Sequence, residues 1–326
     1  MKKIIYFLPI LLFGCGTSQQ LNVKPTIVEI PAQEATLTFN YNVEEKNVAE
    51  TLKTLSSDAF KGREAGEPGI EKAAVFLEQF LKKNNVKPYF ETYRDKLSNF
   101  DKPTFNIVGF IEGNDPILKN EFVVLGGHYD HIGLTSNGED KINNGANDDA
   151  SGVTAVAEIA KYFSQSKSNK RSILVVFFSA EEKGLLGSKH LAKKLNTKGF
   201  NLYTMLNFEM IGVPMTKEYT AYITGFSKSN MASKMNDYAG KKLIGYLPQE
   251  LKYELFSRSD NYSFYNEFNV PSQTVCTFDF ENYQYYHDVK DEFELMNIGH
   301  ITSFIQDILP VVEQMTISAT KEIKMN

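Results

Sequence analysis

The chain has 326 residues, of which 42% are hydrophobic and 23% charged, enough apolar material for one large globular core. Its formal net charge is −5, and its Lys and Arg residues do not gather into a basic stripe, which argues against nucleic acid as a partner. Two cysteines, Cys15 and Cys276, are too few for a disulfide framework.

The chain opens MKKIIYFLPILLFGC, a basic start followed by a short apolar run. This is the pattern of an export signal, and the run is too short to stay as a bilayer span. Leu12-Phe13-Gly14-Cys15 resembles a lipobox. Residues 1–14 are therefore expected to be a lipoprotein signal peptide, with Cys15 lipidated as the new N-terminus. That implies an exported bacterial lipoprotein, membrane-anchored on a periplasmic or cell-surface face. Residues 15–40 are polar, carry Pro25 and Pro31, and suit a tether. Residues 41–326 read as one domain, and Cys276 as a buried small hydrophobe within it.

Val43, Val48, Leu52 and Leu55 recur at helical spacing over 43–56. Ala73, Ala74, Leu77, Phe80 and Leu81 mark one face of an amphipathic helix over 70–84. FNIVGFI (105–111) and FVVLG (122–126) read as strands, and the turn-rich link between them predicts that they pair as neighbours. A helix follows from Ser151. SILVVFFS (172–179) is apolar throughout, as a central strand covered on both faces must be. A short helix is expected over 187–195, strands over 202–208, 219–224 and 271–278, and helices over 227–239 and 259–268. The last helix is expected over 293–315, kinked at Pro310. Strands alternating with helices predict an α/β fold, three αβα layers around a mixed, largely parallel central sheet. Sites in such folds form beyond the C-terminal ends of the strands.

Five blocks fall at those ends: GGHYDHIG (126–133), GANDDASG (145–152), SAEEKGLLGS (179–188), NFEMIG (207–212) and YYHDVKD (285–291). Imidazole and carboxylate are the donors that catalytic zinc takes. Helix capping explains one carboxylate of the Asp148–Asp149 pair but none of the other blocks. His128 and Asp130, two apart on an extended backbone, share a face, which lets Asp130 accept the second imidazole N–H. Glu181 and Glu182 are adjacent and cannot point the same way from a regular strand, so one can ligate while the other faces a substrate. His131, His190 and His300 read as surface or core residues.

Together the blocks resemble those of the di-zinc aminopeptidase family that includes secreted bacterial leucyl aminopeptidases. Glutamate carboxypeptidases and glutaminyl cyclases are its distant relatives. The resemblance spans about residues 55–291 and implies a zinc-exopeptidase-like fold holding two Zn2+ ions. It implies that Asp148 bridges the ions and is joined by a cis peptide to Asp149, a supporting residue. His128 and Glu209 would complete the first metal position, and Glu182 and His287 the second. Glu181 would be the general base, with Asp130 beside it in the catalytic machinery and Asp291 a nearby support. Glu209 departs from the Asp that many members carry.

In SRSDNYSF (257–264), Asn261 stands where His is common, and Phe256 stands near the place of an oxyanion-steadying Tyr. Arg258 is a candidate for binding the oxyanion or a substrate carboxylate. Tyr283, Tyr285 and Tyr286 either line the pocket or pack. The implied activity is that of a metallo-aminopeptidase, hydrolysing peptides with a free N-terminus through a metal-bridging water. The alternatives are a one-zinc glutaminyl-peptide cyclotransferase, a dipeptidase or carboxypeptidase of the same fold, and a non-catalytic surface lipoprotein. The lack of any Trp, with Tyr286 standing before His287, weighs against the cyclotransferase.

Overall fold

Nine strands form one sheet in the computed structural model, which describes residues 37–326. They are β1 (Lys87–Pro88), β2 (Arg94–Lys96), β3 (Phe105–Ile111), β4 (Phe122–His128), β5 (Ser172–Phe178), β6 (Leu202–Phe208), β7 (Ala221–Ile223), β8 (Ile244–Gly245) and β9 (Ser272–Cys276). Their order is β1-β3-β5-β4-β6-β9-β7-β8, with β2 also paired to β3. The central four, β5, β4, β6 and β9, run parallel, while β3 and β7 join them antiparallel.

Eight helices accompany the sheet: α1 (Glu45–Leu55), α2 (Pro68–Lys83), α3 (Gly152–Ser166), α4 (Leu186–Thr197), α5 (Met231–Ala239), α6 (Gln249–Lys252), α7 (Asn261–Phe268) and α8 (Ile298–Ile317). The layers follow from the two-residue period of the strands. Ile173, Val175 and Phe177 of β5 pack in one cluster with apolar residues of α1, α2, α3, α5 and α8. Leu174, Val176 and Phe178 face the other way, with Leu191 and Leu195 of α4 and Phe264 of α7. Each such side chain contributes roughly 1.5–3 kcal/mol by leaving water. All seven residues of β5 are buried, as its unbroken apolar run requires.

The structure corrects the expected pairing of β3 with β4. The fully apolar β5 lies between them, antiparallel to β3 and parallel to β4. A strand apolar on both faces sits most favourably away from the sheet edges, and it separates two strands that are adjacent in sequence. The final helix also differs. A 3-10 turn at Phe293–Leu295 precedes it, and the Asn297 side chain caps α8 by accepting the His300 N–H at 2.9 Å. α8 then runs through Pro310 without interruption.

Residues 1–36, with the expected signal peptide, Cys15 and most of the tether, lie outside the described residues. Thr38, within the stretch read as tether, already hydrogen-bonds Glu313 through both its backbone N–H and its hydroxyl. Among the described residues no helix is long and apolar enough to cross a membrane.

One tie between the amino-terminal part and the sheet bears on the site. Arg63, fully buried, donates to four backbone carbonyls: Leu55, Tyr129, Asn144 and Gly145, at 2.6–2.9 Å. It pins the turn after α1 to the chain beside His128 and to the loop that leads into Asp148.

Candidate active site

Because β5, β4, β6 and β9 are parallel neighbours, their C-terminal ends open on one edge of the sheet. β4 ends at His128, β5 is followed by Glu181 and Glu182, and β6 by Glu209. The segment after β9 brings His287, and the segment between β4 and α3 brings Asp148.

Asp148 is central. Its Oδ1 lies 3.2 Å from His128 Nε2, and its Oδ2 lies 3.2 Å from His287 Nε2. His287 Nε2 is also 3.1 Å from Glu182 Oε2. Tetrahedral zinc with bonds of about 2.0–2.2 Å holds its ligand atoms roughly 3.3 Å apart, so these separations match donors turned toward a shared cation. Glu209 lines the same cavity, and its Oε2 is buried without a hydrogen-bond partner, which also fits a cation. One donor atom each from His131, Asp148, Glu182 and His287 lie within 4.8 Å of one another. The structure thus brings together the sequence-assigned donors and adds His131, which had read as scaffold.

Backbone hydrogen bonds hold the donors. The Asp148–Asp149 peptide is cis. Asp149 turns away from His287: its Oδ2 accepts the His128 N–H at 3.2 Å, and its Oδ1 accepts the N–H groups of Gly152 and Met210 at 3.1 and 3.0 Å. A Cβ on Gly152 would stand 2.4 Å from Asp149 Oδ1, so this approach needs glycine. Asp291 accepts from Asn147 N at 2.8 Å and Asp148 N at 3.0 Å, and the Tyr283 hydroxyl donates to it at 2.6 Å. One carboxylate therefore fixes the backbone from which Asp148 projects.

Asp130 behaves differently from the expected imidazole acceptor. His128 Nδ1 meets the backbone carbonyl of Asp130 at 3.1 Å, while the carboxylate is 3.8 Å away. The carboxylate instead accepts the backbone N–H groups of Glu181 and Glu182 at 3.0 and 3.3 Å. It shapes the turn that splits the two glutamates.

The cavity above these residues holds about 220 Å³. Asp148, Glu181, Glu182 and Glu209 form its acidic part; Met210, Tyr222, Leu255, Cys276, Phe278 and Phe280 form apolar wall. Arg258, exposed, and Tyr286, half exposed and stacked 3.9 Å from His287, also line it. Tyr283 serves Asp291, and among the described residues Tyr285 is absent from the lining. Asn261 is spent on the scaffold, donating to the carbonyls of Phe256 and Ser272 and accepting from Thr274. Phe256 packs against Tyr262 and Tyr265.

Sequence reasoning singled out the SRSDNYSF segment but gave Asp260, between Arg258 and Asn261, no role of its own. It is fully buried, and neither carboxylate oxygen has a hydrogen-bond partner. Its charge acts on Glu181. An acid directly preceding an amphipathic run was the available signal, and it reads equally as a helix cap.

Burial raises Glu181 well above the usual carboxylate range; Glu209, Asp260 and Glu182 add to this, and His128 opposes it. Burial likewise raises Glu209 and Asp260 to about 7. Burial also pushes Asp148 upward, but His128 and His287 outweigh it and hold the group well below its ordinary value. Burial works against His287, yet Asp148 and Glu182 lift it to about 10.

These shifts set the pH response of the protein stripped of metal. Glu209 (4.5 to about 7) and His287 (6.5 to about 10) both bind protons more tightly folded than unfolded. Stability therefore falls as pH rises, between about 4.5 and 7 for Glu209 and between about 6.5 and 10 for His287. The lowered Asp148 and Glu182 act below this window, and His300, lowered by burial from 6.5 to about 4, opposes the fall only below about pH 6.5. Thermal melts of chelated protein should show Tm declining across that range, and a Tm that rises there would contradict the assignment.

The model of peptidase family M28 matches residues 106–312. A probable leucine aminopeptidase 2 of Aspergillus oryzae is 37% identical over 115 residues, which cover 35% of this chain and 21% of that protein. The chain thus spans about a fifth of that curated relative. The structure of a zinc aminopeptidase from Bacillus subtilis superposes with a TM-score of 0.66 at 15% identity, over 87% of this chain and 98% of that one. Porphyromonas gingivalis glutaminyl cyclase gives 0.65 at 17% identity, over 84% of this chain and 100% of its own. At these identities the two structures speak for the fold.

Proposed function

This chain belongs to peptidase family M28, and on that premise we propose that it is a metallo-aminopeptidase, a zinc-dependent exopeptidase that removes N-terminal residues from peptides. The observation that carries this is the arrangement around Asp148. Its two oxygens face two imidazoles at zinc-ligand spacing, in a cavity also lined by the half-buried Glu181, which belongs to neither pair.

The donor types fit zinc: His128, Asp148 and Glu209 would hold one ion, and Asp148, Glu182 and His287 a second. When bound, zinc would polarise the scissile carbonyl and make a water acidic enough to attack it. The chain's own residues supply the rest. Glu181, its proton affinity raised by burial, takes the proton of the attacking water and returns it to the leaving amine nitrogen. Asp130 holds the Glu181 backbone in place. The acidic part of the cavity favours a positively charged substrate N-terminus, and the apolar wall accepts its side chain. A cavity of about 220 Å³ is smaller than the ~300–1,000 Å³ of drug-sized ligand sites, which suits one terminal residue.

A second reading, cyclisation of N-terminal glutamine on a single ion, is favoured by one observation: the tight group of donors gathers at one position. A panel of aminoacyl-p-nitroanilides and free or N-acetylated dipeptides, with and without chelator, separates the two. Cleavage that requires a free N-terminus and metal supports the aminopeptidase. Cyclisation of glutaminyl peptides without cleavage replaces it with the second reading.

We also propose that Cys15 anchors the protein to a membrane after export, supported by its place at the end of the lipobox-like run. Cys15→Ser should move the protein from the membrane fraction to the soluble one; an unchanged distribution would refute the anchor.

A further inference from the structure

The proposed chemistry leaves one imidazole of the site unused. His131 is fully buried, and its ring stands edge-on to that of His287, with centroids 5.6 Å apart. We propose that His131 is a positioning residue: its Nδ1–H holds one oxygen of Glu182 so that the other faces the His287 metal position, and this sets the affinity of that position. The inference rests on the metallopeptidase reading above.

The geometry divides the two oxygens of Glu182 between two imidazoles. Oε2 lies 3.1 Å from His287 Nε2, and Oε1 lies 3.0 Å from His131 Nδ1. The other carboxylate near that nitrogen, Asp148 Oδ2, is 3.7 Å away, beyond hydrogen-bond range. The donor is therefore committed to Glu182. A terminal carboxylate torsion is broad and roughly two-fold, so an unheld glutamate would spread its oxygens over many orientations. A fixed N–H on one oxygen removes that freedom.

The ring itself is fixed. Its backbone N–H reaches the carbonyl of Arg63 at 3.3 Å. Gly145, at φ 59°, lies against its face; a Cβ there would stand 2.6 Å from the ring. Glycine is needed both for the left-handed backbone and for the space. Nδ1, which donates its proton to Glu182, cannot also ligate; Nε2 is buried without a hydrogen-bond partner, and a variant that lacks it distinguishes holding a ligand from being one. Hydrogen bonds of this kind typically govern metal affinity tenfold to a hundredfold.

The test uses the full-length protein, zinc as the only probe, and competition with a chromophoric chelator, with bound zinc counted by elemental analysis. His131→Ala removes the donor. His131→Asn keeps an N–H near the place of Nδ1 but offers no ring nitrogen. The expected result is that His131→Ala weakens one of two zinc ions about ten- to a hundredfold, leaves the other unchanged, and leaves the chelated protein folded by circular dichroism, with a Tm lowered by loss of the buried ring. His131→Asn should recover the affinity. Three results would overturn the proposal: Ala binding both ions as the natural chain does, Asn failing as badly as Ala, which would make the ring a direct ligand, or both ions weakening together. A natural chain that binds no zinc would instead bring down the functional reading, and this inference with it.

Discussion

Replacing Glu181 by glutamine lowers kcat by roughly 10²–10⁴-fold while zinc content stays at the natural level. Glutamine keeps the size of the side chain and leaves the bond from its backbone N–H to Asp130 in place. What it loses is the ability to take a proton from water and hand it on. None of the close donor pairs around Asp148 includes Glu181, so no ligand is lost. KM should move little, because the acidic floor and apolar wall remain. Steady-state kinetics paired with elemental analysis check this. Normal turnover by a zinc-loaded Glu181→Gln protein would end the assignment of the general base.

The second large effect has the opposite signature. Asp148→Asn should release both ions, weakening each by more than about a hundredfold, and activity should fall with them. Asp148 alone turns one oxygen to each of the two facing imidazoles, so a single substitution reaches both positions. Losing a ligand outright should exceed the ten- to hundredfold that removal of a supporting hydrogen bond costs. The fold should survive. Asparagine is isosteric, and Asp291 grips the backbone N–H of residue 148 rather than its side chain. Metal counting on dialysed protein, with circular dichroism as the control, reads the result. A full complement of zinc in this variant would show that another residue joins the two positions. The two substitutions, one sparing metal and one losing it, separate proton transfer from ligation.

The site was legible because its donors sit where strands end, and strand ends show in the apolar runs. SILVVFFS declares a doubly covered strand, and the two glutamates after it land at the cavity. What stayed hidden depends on partners remote in sequence. The insertion of β5 between β3 and β4 cannot be seen from their short connection, since pairing is chosen by the whole sheet. His131 resembles any isolated histidine until the fold lays its ring beside Glu182. Asp130 was assigned to the right neighbourhood and the wrong bond, because alternation along a strand specifies a face but not which oxygen arrives. Asp260 and Arg63 carry no periodic signal, and each gains meaning only when burial removes its water.

The four carbonyls gathered by Arg63 bear on where this chain can be cut. The stretch that matches the family spans residues 106–312, and Arg63 lies upstream of it. A protein trimmed to that stretch would keep every proposed ligand. It would also keep the Tyr129 and Asn144 carbonyls beside them without the guanidinium that fills them, while the Gly145 carbonyl retains the Ala150 N–H at 3.3 Å. An acceptor left buried and unpaired costs about 1–3 kcal/mol, so these two, where they stay out of water, amount to roughly 2–6 kcal/mol. That is a large part of the ~5–15 kcal/mol of net stability that keeps a typical domain folded. The smallest unit expected to fold therefore reaches back past Arg63 to α1, whose Leu52 and Leu55 are buried in the core, and is longer than the segment that matches the family.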